Sequence, residues 1–200
     1  MKTYKLLISS SILFFATQAN AELTLGLDLI QDSGDRKTSL DNSSYNYDTS
    51  DFVADSTGYR LKLSLGAIDE SRAEFYFSQY DVDDSGQFND NMEWELGMNY
   101  IFTFLHKPFI PFVKVGFGLG QADTDLKIIN YSSGDTTDNI YNGHFNLGGG
   151  LSYSFTDNLA ITAGLEYVYR SWQDLEYSNG LTLSTTDSVF RFGVGLDVTF

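Results

Sequence analysis

Cysteine is absent from the 200 residues, which excludes disulfide staples, thiolate metal ligands and thiol nucleophiles. Proline occurs twice, so little interrupts a strand ladder. No stretch after the first twenty-odd residues approaches the ~20 apolar residues that a membrane-spanning helix needs. Basic residues are also scarce: 12 Lys and Arg stand against 27 Asp and Glu, a formal charge of −15 that argues against a nucleic-acid partner. What the chain has in quantity is aromatic residues, 16%, and eighteen glycines, a balance that suits many strands and little helix.

Met1 to Ala21 reads as a secretory signal peptide. Lys2 and Lys5 precede an apolar core from Leu6 to Ala16, and Ala19-Asn20-Ala21 forms an A-x-A cleavage site. The mature chain is expected to start at Glu22 as one domain. Loss of the two lysines takes its charge to −17, and with no Cys after the cleavage site a lipoprotein anchor is not expected.

From Glu22 onward the dominant signal is period-two alternation, the mark of strands with one apolar and one polar face. Strand one carries Leu23, Leu25, Leu27 and Leu29, and strand two Tyr59, Leu61, Leu63, Leu65 and Ala67. Strand three carries Ala73, Phe75 and Phe77, and strand four Met92, Trp94, Leu96, Met98, Tyr100 and Phe102. Strand five carries Phe109, Pro111, Val113, Val115, Phe117 and Leu119, and strand six Phe145, Leu147, Leu151, Tyr153 and Phe155. Two further runs, Leu159 to Arg170 and Phe190 to Phe200, flank Asn179-Gly180. A two-residue type I′ turn at that dipeptide predicts that Tyr169 faces Phe190, Leu165 faces Val194 and Leu159 faces Phe200, apolar against apolar throughout. Short turns at 69–71 and 156–158 predict that Ala67 meets Ala73 and Phe155 meets Leu159. Between the remaining strands lie polar segments at 32–57, 81–90, 123–140 and 171–187, read as long loops.

Alternation alone also fits a soluble sandwich or barrel. Here the polar face is too rich in glycine for a solvated surface, and large aromatics crowd the strand ends of the apolar face. Eight strands, long loops at one end, tight turns at the other and an export signal predict an all-β, eight-stranded antiparallel up-and-down transmembrane β-barrel. The mature chain resembles the small eight-stranded outer-membrane barrels of Gram-negative bacteria, the OmpA transmembrane-domain, OmpX and opacity-protein type, assigned within the porin family. The resemblance lies in Lys107-Pro108-Phe109-Ile110-Pro111-Phe112, Gly164-Leu165-Glu166-Tyr167 and the ending Arg191-Phe192-Gly193-Val194-Gly195-Leu196-Asp197-Val198-Thr199-Phe200. It implies an integral outer-membrane protein, monomeric, set among outer-membrane lipid and lipopolysaccharide, with Phe200 as the signal read by the barrel-assembly machinery at the periplasmic side.

On the polar face stand Asp28, Arg60, Lys62, Glu74, Glu93, Glu95, Lys114, Glu166, Arg170, Arg191 and Asp197. An eight-stranded interior is only wide enough for side chains, and charges buried there need partners, so a plug of ion pairs is expected. If Phe102 pairs with Phe109, Glu95 lies diagonal to Lys114; the hairpin register sets Glu166 diagonal to Arg191. The glycines at 116, 118, 120, 148, 150, 164, 193 and 195 share that face, where they relieve crowding or line a narrow water path.

Asp81, Asp83 and Ser85 resemble half of a calcium loop, but its twelfth position is Met92 and not a bidentate Glu. Diffuse divalent-cation binding by the acidic loops is the more natural reading. His144-Phe145-Asn146 invites comparison with barrel-type lipid A deacylases, yet Asn146 stands where the nucleophile belongs, so no enzyme, cofactor or metal centre is expected. The four loops hold seventeen acids against Arg36, Lys37 and Lys127. Function is therefore expected outside, in envelope structure or surface contact, with Tyr45, Tyr47, Tyr131, Trp172 and Tyr177 as contact aromatics. A narrow porin for small solutes or ions is the alternative, and a lipid-modifying enzyme a remote one.

Overall fold

A computed structural model describes residues 22–42, 45–83, 92–105, 107–129, 136–176 and 182–200. The signal segment, Ser85, Tyr131, Tyr177 and the Asn179-Gly180 turn lie outside them. The strands are β1 Leu23–Asn42, β2 Tyr45–Val53, β3 Asp55–Leu65, β4 Arg72–Asp83, β5 Met92–Thr103, β6 Phe109–Ile129, β7 Thr136–Ser154, β8 Leu159–Trp172, β9 Leu175–Glu176 and β10 Thr182–Thr199. All pairings are antiparallel, and β10 pairs with β1 to close the sheet. β2 and β3 both run along β1 and are one strand interrupted at Ala54, whose N–H donates to the Gly34 carbonyl at 2.9 Å. β9 continues β8 along β10 in the same way. The result is the predicted closed eight-stranded barrel.

Pairs followed round the wall run Leu27, Leu61, Phe77, Leu96, Leu119, Gly143, Ser171, Thr186 and back to β1 at Lys37, ten residues further on. Eight strands with that stagger tilt about 40° and leave an interior filled by side chains. The faces fall as the alternation requires. Leu27, Leu29, Leu119, Phe117, Phe190 and Leu196 point outward with half or more of their surface free, whereas Arg60, Glu95 and Arg191 inside have none. An apolar exterior round a charged interior inverts the plan of a soluble barrel and suits lipid.

Three predicted registers differ from those observed, the β8–β10 shift also setting Leu165 opposite Phe192 and Leu159 opposite Val198. Tyr167, not Tyr169, faces Phe190; Leu65, not Ala67, faces Ala73; and Phe102 faces Val113, not Phe109. Each shift is an even number of residues, so no side chain changes face. Alternation fixes register only to within two residues, and the turn fixes the rest. At 66–71 the turn is longer than predicted, with Gly66 at φ 125°, a left-handed conformation that suits glycine. The pairing across 156–158 is as predicted, with Phe155 N–H donating to the Leu159 carbonyl at 2.9 Å.

The larger correction concerns the segments read as loops. β1 and β10 stay paired out to Asp41 and Thr182, and β6 and β7 pair again at Ile129 and Thr136. Polar sequence marks where strands leave the lipid, not where they end.

Candidate functional site: the charged lumen

Every charged residue expected on the inner face is buried, and the chain adds four more there: Asp32, Arg36, Arg72 and Asp187. From the end that carries the short turns the network rises in tiers. Lys62 Nζ lies 2.6 Å from Asp28 and 2.9 Å from Asp197, and Thr162 donates to Asp197 at 2.5 Å. Above it, Glu166 Oε1 receives Arg60 Nη1 and Lys114 Nζ, both at 2.7 Å. Asn146 links Glu166 to Asn99, and Asn99 donates to Glu74 at 2.8 Å.

The third tier is the densest. Arg191 grips Asp32 through Nε and Nη2 at 2.7 and 2.8 Å and reaches Glu95 at 3.1 Å. Arg170 bridges the same two carboxylates from the opposite side, at 2.6 Å to Glu95 and 2.7 Å to Asp32. Tyr80 donates to Glu95 at 2.6 Å, and its ring lies under the Arg191 guanidinium, 4.7 Å away. Glu93 stands 3.7 Å from Arg170. Two acids thus meet two arginines in forked geometry, the arrangement that best offsets the desolvation of buried charge. A fourth tier sets Arg36 on Asp187 at 2.7 and 2.9 Å, with Trp172 Nε1 donating to the same carboxylate at 2.9 Å.

Apolar clusters lie toward both ends. Ala122, Ile140, Trp172, Leu175 and Leu183 pack together above the fourth tier, and Ile68, Ile110 and Ala160 below the first. Between the lower tiers lies a cavity of ≈ 20 Å³ beside Asp28, Arg72 and Lys114. That is room for about one water, not for a path through the barrel.

Of the predicted lumen residues, Glu95, Lys114, Glu166, Arg191, Arg60, Lys62 and Glu93 all meet opposite charge, but two proposed pairs do not form. Glu95 takes Arg170 and Arg191 in place of Lys114, because the β5–β6 register sets Glu95 opposite Gly120 and Lys114 opposite Ile101. Glu166 is directly opposite Arg191 but turns to Arg60 and Lys114. Asp32, Arg36 and Asp187 sit in polar segments; their even spacing, four and eight residues after Asp28 and four before Arg191, is the signal that the inward series continues.

Trp172 is 4% exposed and faces the lumen, which removes it from the contact aromatics. Tyr45 and Tyr47 lie on β2, paired with Asn42 and Leu40 above the belt. Asp81 pairs with Met92 and Asp83 with Asp55 at the outer end of β4, and no group of three metal-ligating side chains occurs among the described residues. His144 and Asn146 point into the packed lumen, with His144 Nε2 2.6 Å from the Tyr76 hydroxyl, so neither faces lipid. Six of the eight inward glycines leave no room for a Cβ; at Gly195 it would lie 1.9 Å from Asp28 Oδ1. Those six relieve crowding, whereas Gly164 and Gly193 have room for a Cβ and line the small cavity between the lower tiers. Phe200 ends β10 on the outer face at the seam with β1, its N–H donating to the Leu23 carbonyl at 2.8 Å.

No protein-family model and no curated protein matches the chain. Solved structures do. Neisserial surface protein A superposes with a TM-score of 0.54 at 17% identity, over 89% of this chain and 97% of its own. The outer membrane protein OprG from Pseudomonas aeruginosa gives 0.54 at 11% identity, over 90% and 96%. With its closed sheet, apolar exterior and charged, buried interior, this chain has the fold of the small eight-stranded outer-membrane β-barrels.

Proposed function

We propose that the barrel is a closed membrane anchor whose work is done by the hairpins it holds above the outer-membrane surface, in envelope structure or contact with surface ligands. The observation that carries this reading is the lumen: four tiers of ion pairs with apolar clusters toward both ends. Such an interior stabilises a wall and offers no lane for solutes, which sets the narrow-porin alternative second. The paired strands β1 and β10 rise ~20 Å beyond the top of the apolar belt, given ~2.4 Å of axial rise per tilted residue, and so display whatever their tips carry.

With Asp32, Arg36 and Asp187 assigned to the lumen, fifteen acids face two bases in the outer segments. That charge favours basic or cation-bridged partners over anionic ones, lipopolysaccharide phosphates being reached through divalent cations. Tyr45, Tyr47, Tyr131 and Tyr177 remain the contact aromatics of this reading. Phe200 is the element offered to the assembly machinery. Deletion of residues 41–50 and 130–139 tests the proposal. Folding is expected to persist while adhesion or sensitivity to divalent-cation removal changes. Unchanged phenotypes, with solute uptake falling on lumen substitution, would favour the porin.

A further inference from the structure

The apolar belt is not the same height all round. On β8 the outward residues Leu159, Ile161, Ala163, Leu165, Tyr167 and Tyr169 run without a polar interruption up to Ser171, and on β10 those from Phe200 to Phe190 do the same up to Ser188. At ~2.4 Å of axial rise per residue that is ~24 Å, close to the ≈ 25 Å band of outer-membrane barrels. On the opposite wall β4 shows only Ala73, Phe75 and Phe77 between Ser71 and Gln79. That is ~10 Å by the same measure. On the same side β3 reaches Thr57 after Tyr59 and β1, beyond it, reaches Gln31 after Leu29, whereas β5, on the other flank of β4, keeps an apolar outer face from Trp94 to Phe102.

Gln79 is built into this wall. It pairs with Tyr59 across β3 and β4 and accepts that tyrosine's hydroxyl proton, and Asp81 pairs with Thr57 just above. Once the ten-residue stagger is shared over eight strands, Gln79 stands level with Phe190, and Ser71 level with Val198. The belt is therefore short at both rims. A tilt of the whole barrel would shift both rims of the wall the same way, lifting one out of the hydrocarbon only by driving the other into it, and so cannot match a full bilayer to it. Between the rims the wall is concave, with a groove of ≈ 600 Å³ lined by Leu25, Leu61, Leu63, Phe75, Phe77 and Leu96.

We propose that the barrel thins the outer membrane along its β3–β4 wall, the groove seating the shortened or splayed acyl chains of the lipids there. A lipid surface is the occupant because the lining is apolar, lies within the belt and is bounded above and below by groups that belong at headgroup depth. Deforming lipid costs a fraction of a kcal/mol per Å of mismatch, and it is opposed by the joint cost of drawing Gln79, Ser71, Thr57 and the Asp81 carboxylate into hydrocarbon. The inference stands whether or not the lumen conducts.

The absence of cysteine makes the test direct. Nitroxide labels on Gln79→Cys, Ser71→Cys, Phe190→Cys and Val198→Cys are compared in phosphatidylcholine vesicles by the ratio of collision with oxygen to collision with a water-soluble nickel complex. Folding is confirmed by heat-shifted gel mobility, with Thr57→Cys and Leu159→Cys as substitutes for any variant that fails to fold. The ratio is expected to be several-fold lower at both 79 and 71 than at 190 and 198. Equal ratios at 79 and 190 would overturn the proposal, as would a shallow 79 with a deep 71, the signature of tilt. Labels at 79 and 71 shielded from both quenchers until the protein is diluted with lipid would place a second copy there and also overturn it.

Discussion

Glu95→Gln is the most informative single change in the lumen. The carboxylate is fully buried and holds Arg170 at 2.6 Å, Arg191 at 3.1 Å and Tyr80 at 2.6 Å. Glutamine keeps the shape and removes the charge, leaving two arginines to share Asp32. Breaking a buried pair by removing one partner costs about 3–5 kcal/mol, and that loss is expected in urea unfolding from lipid vesicles followed by tryptophan emission. The double variant Glu95→Gln/Arg191→Met leaves Arg170 with Asp32 at 2.7 Å and Glu93 at 3.7 Å, so no arginine is left without a carboxylate. It is expected to fall short of the sum of the single losses by about 1–3 kcal/mol. A single-variant loss below about 1 kcal/mol, or strict additivity, would refute the claim that the four charges act as a unit.

Two further outcomes follow from the packing. Gly195→Ala forces a Cβ to 2.3 Å from the Leu27 carbonyl oxygen as well as onto Asp28, whereas Gly143→Ala meets nothing within 4 Å. The first is expected to cost about 1–3 kcal/mol and the second to be close to neutral, and a reversed order in the same unfolding assay would contradict the assigned faces. Trp172→Phe removes the donor to Asp187 beside Arg36, with a loss of about 1–3 kcal/mol expected; emission from Trp172 readily quenched by iodide in the wild-type protein would contradict its burial.

Faces were legible from the alternation and depths were not. Tyr167 and Tyr169 are both outward whichever of them meets Phe190, so period two placed the charges of the apolar-belt strands inside while leaving the pairing free to slide by two or four. For that reason Glu95, Lys114, Glu166 and Arg191 were identified as lumen charges with two of their partners misassigned. Asp32, Arg36 and Asp187 escaped for a different reason. They continue the inward series of β1 and β10 into sequence whose outward residues are serine, threonine and aspartate, because there the outer face meets water and no longer lipid. Trp172 is the mirror case: an aromatic in a polar segment read as a contact residue, although its inward parity with Arg170 already placed it inside.

The closed lumen is tested most directly by planar-bilayer recording of the purified, refolded protein. The account predicts no discrete conductance steps from the wild-type chain, since the ion-paired tiers from Lys62 to Arg36 fill the lumen among the described residues, and the cavity between the lower tiers is only about 20 Å³. Steady, reproducible channels whose conductance changes on Glu95→Gln or Lys114→Met would contradict it and restore the porin reading.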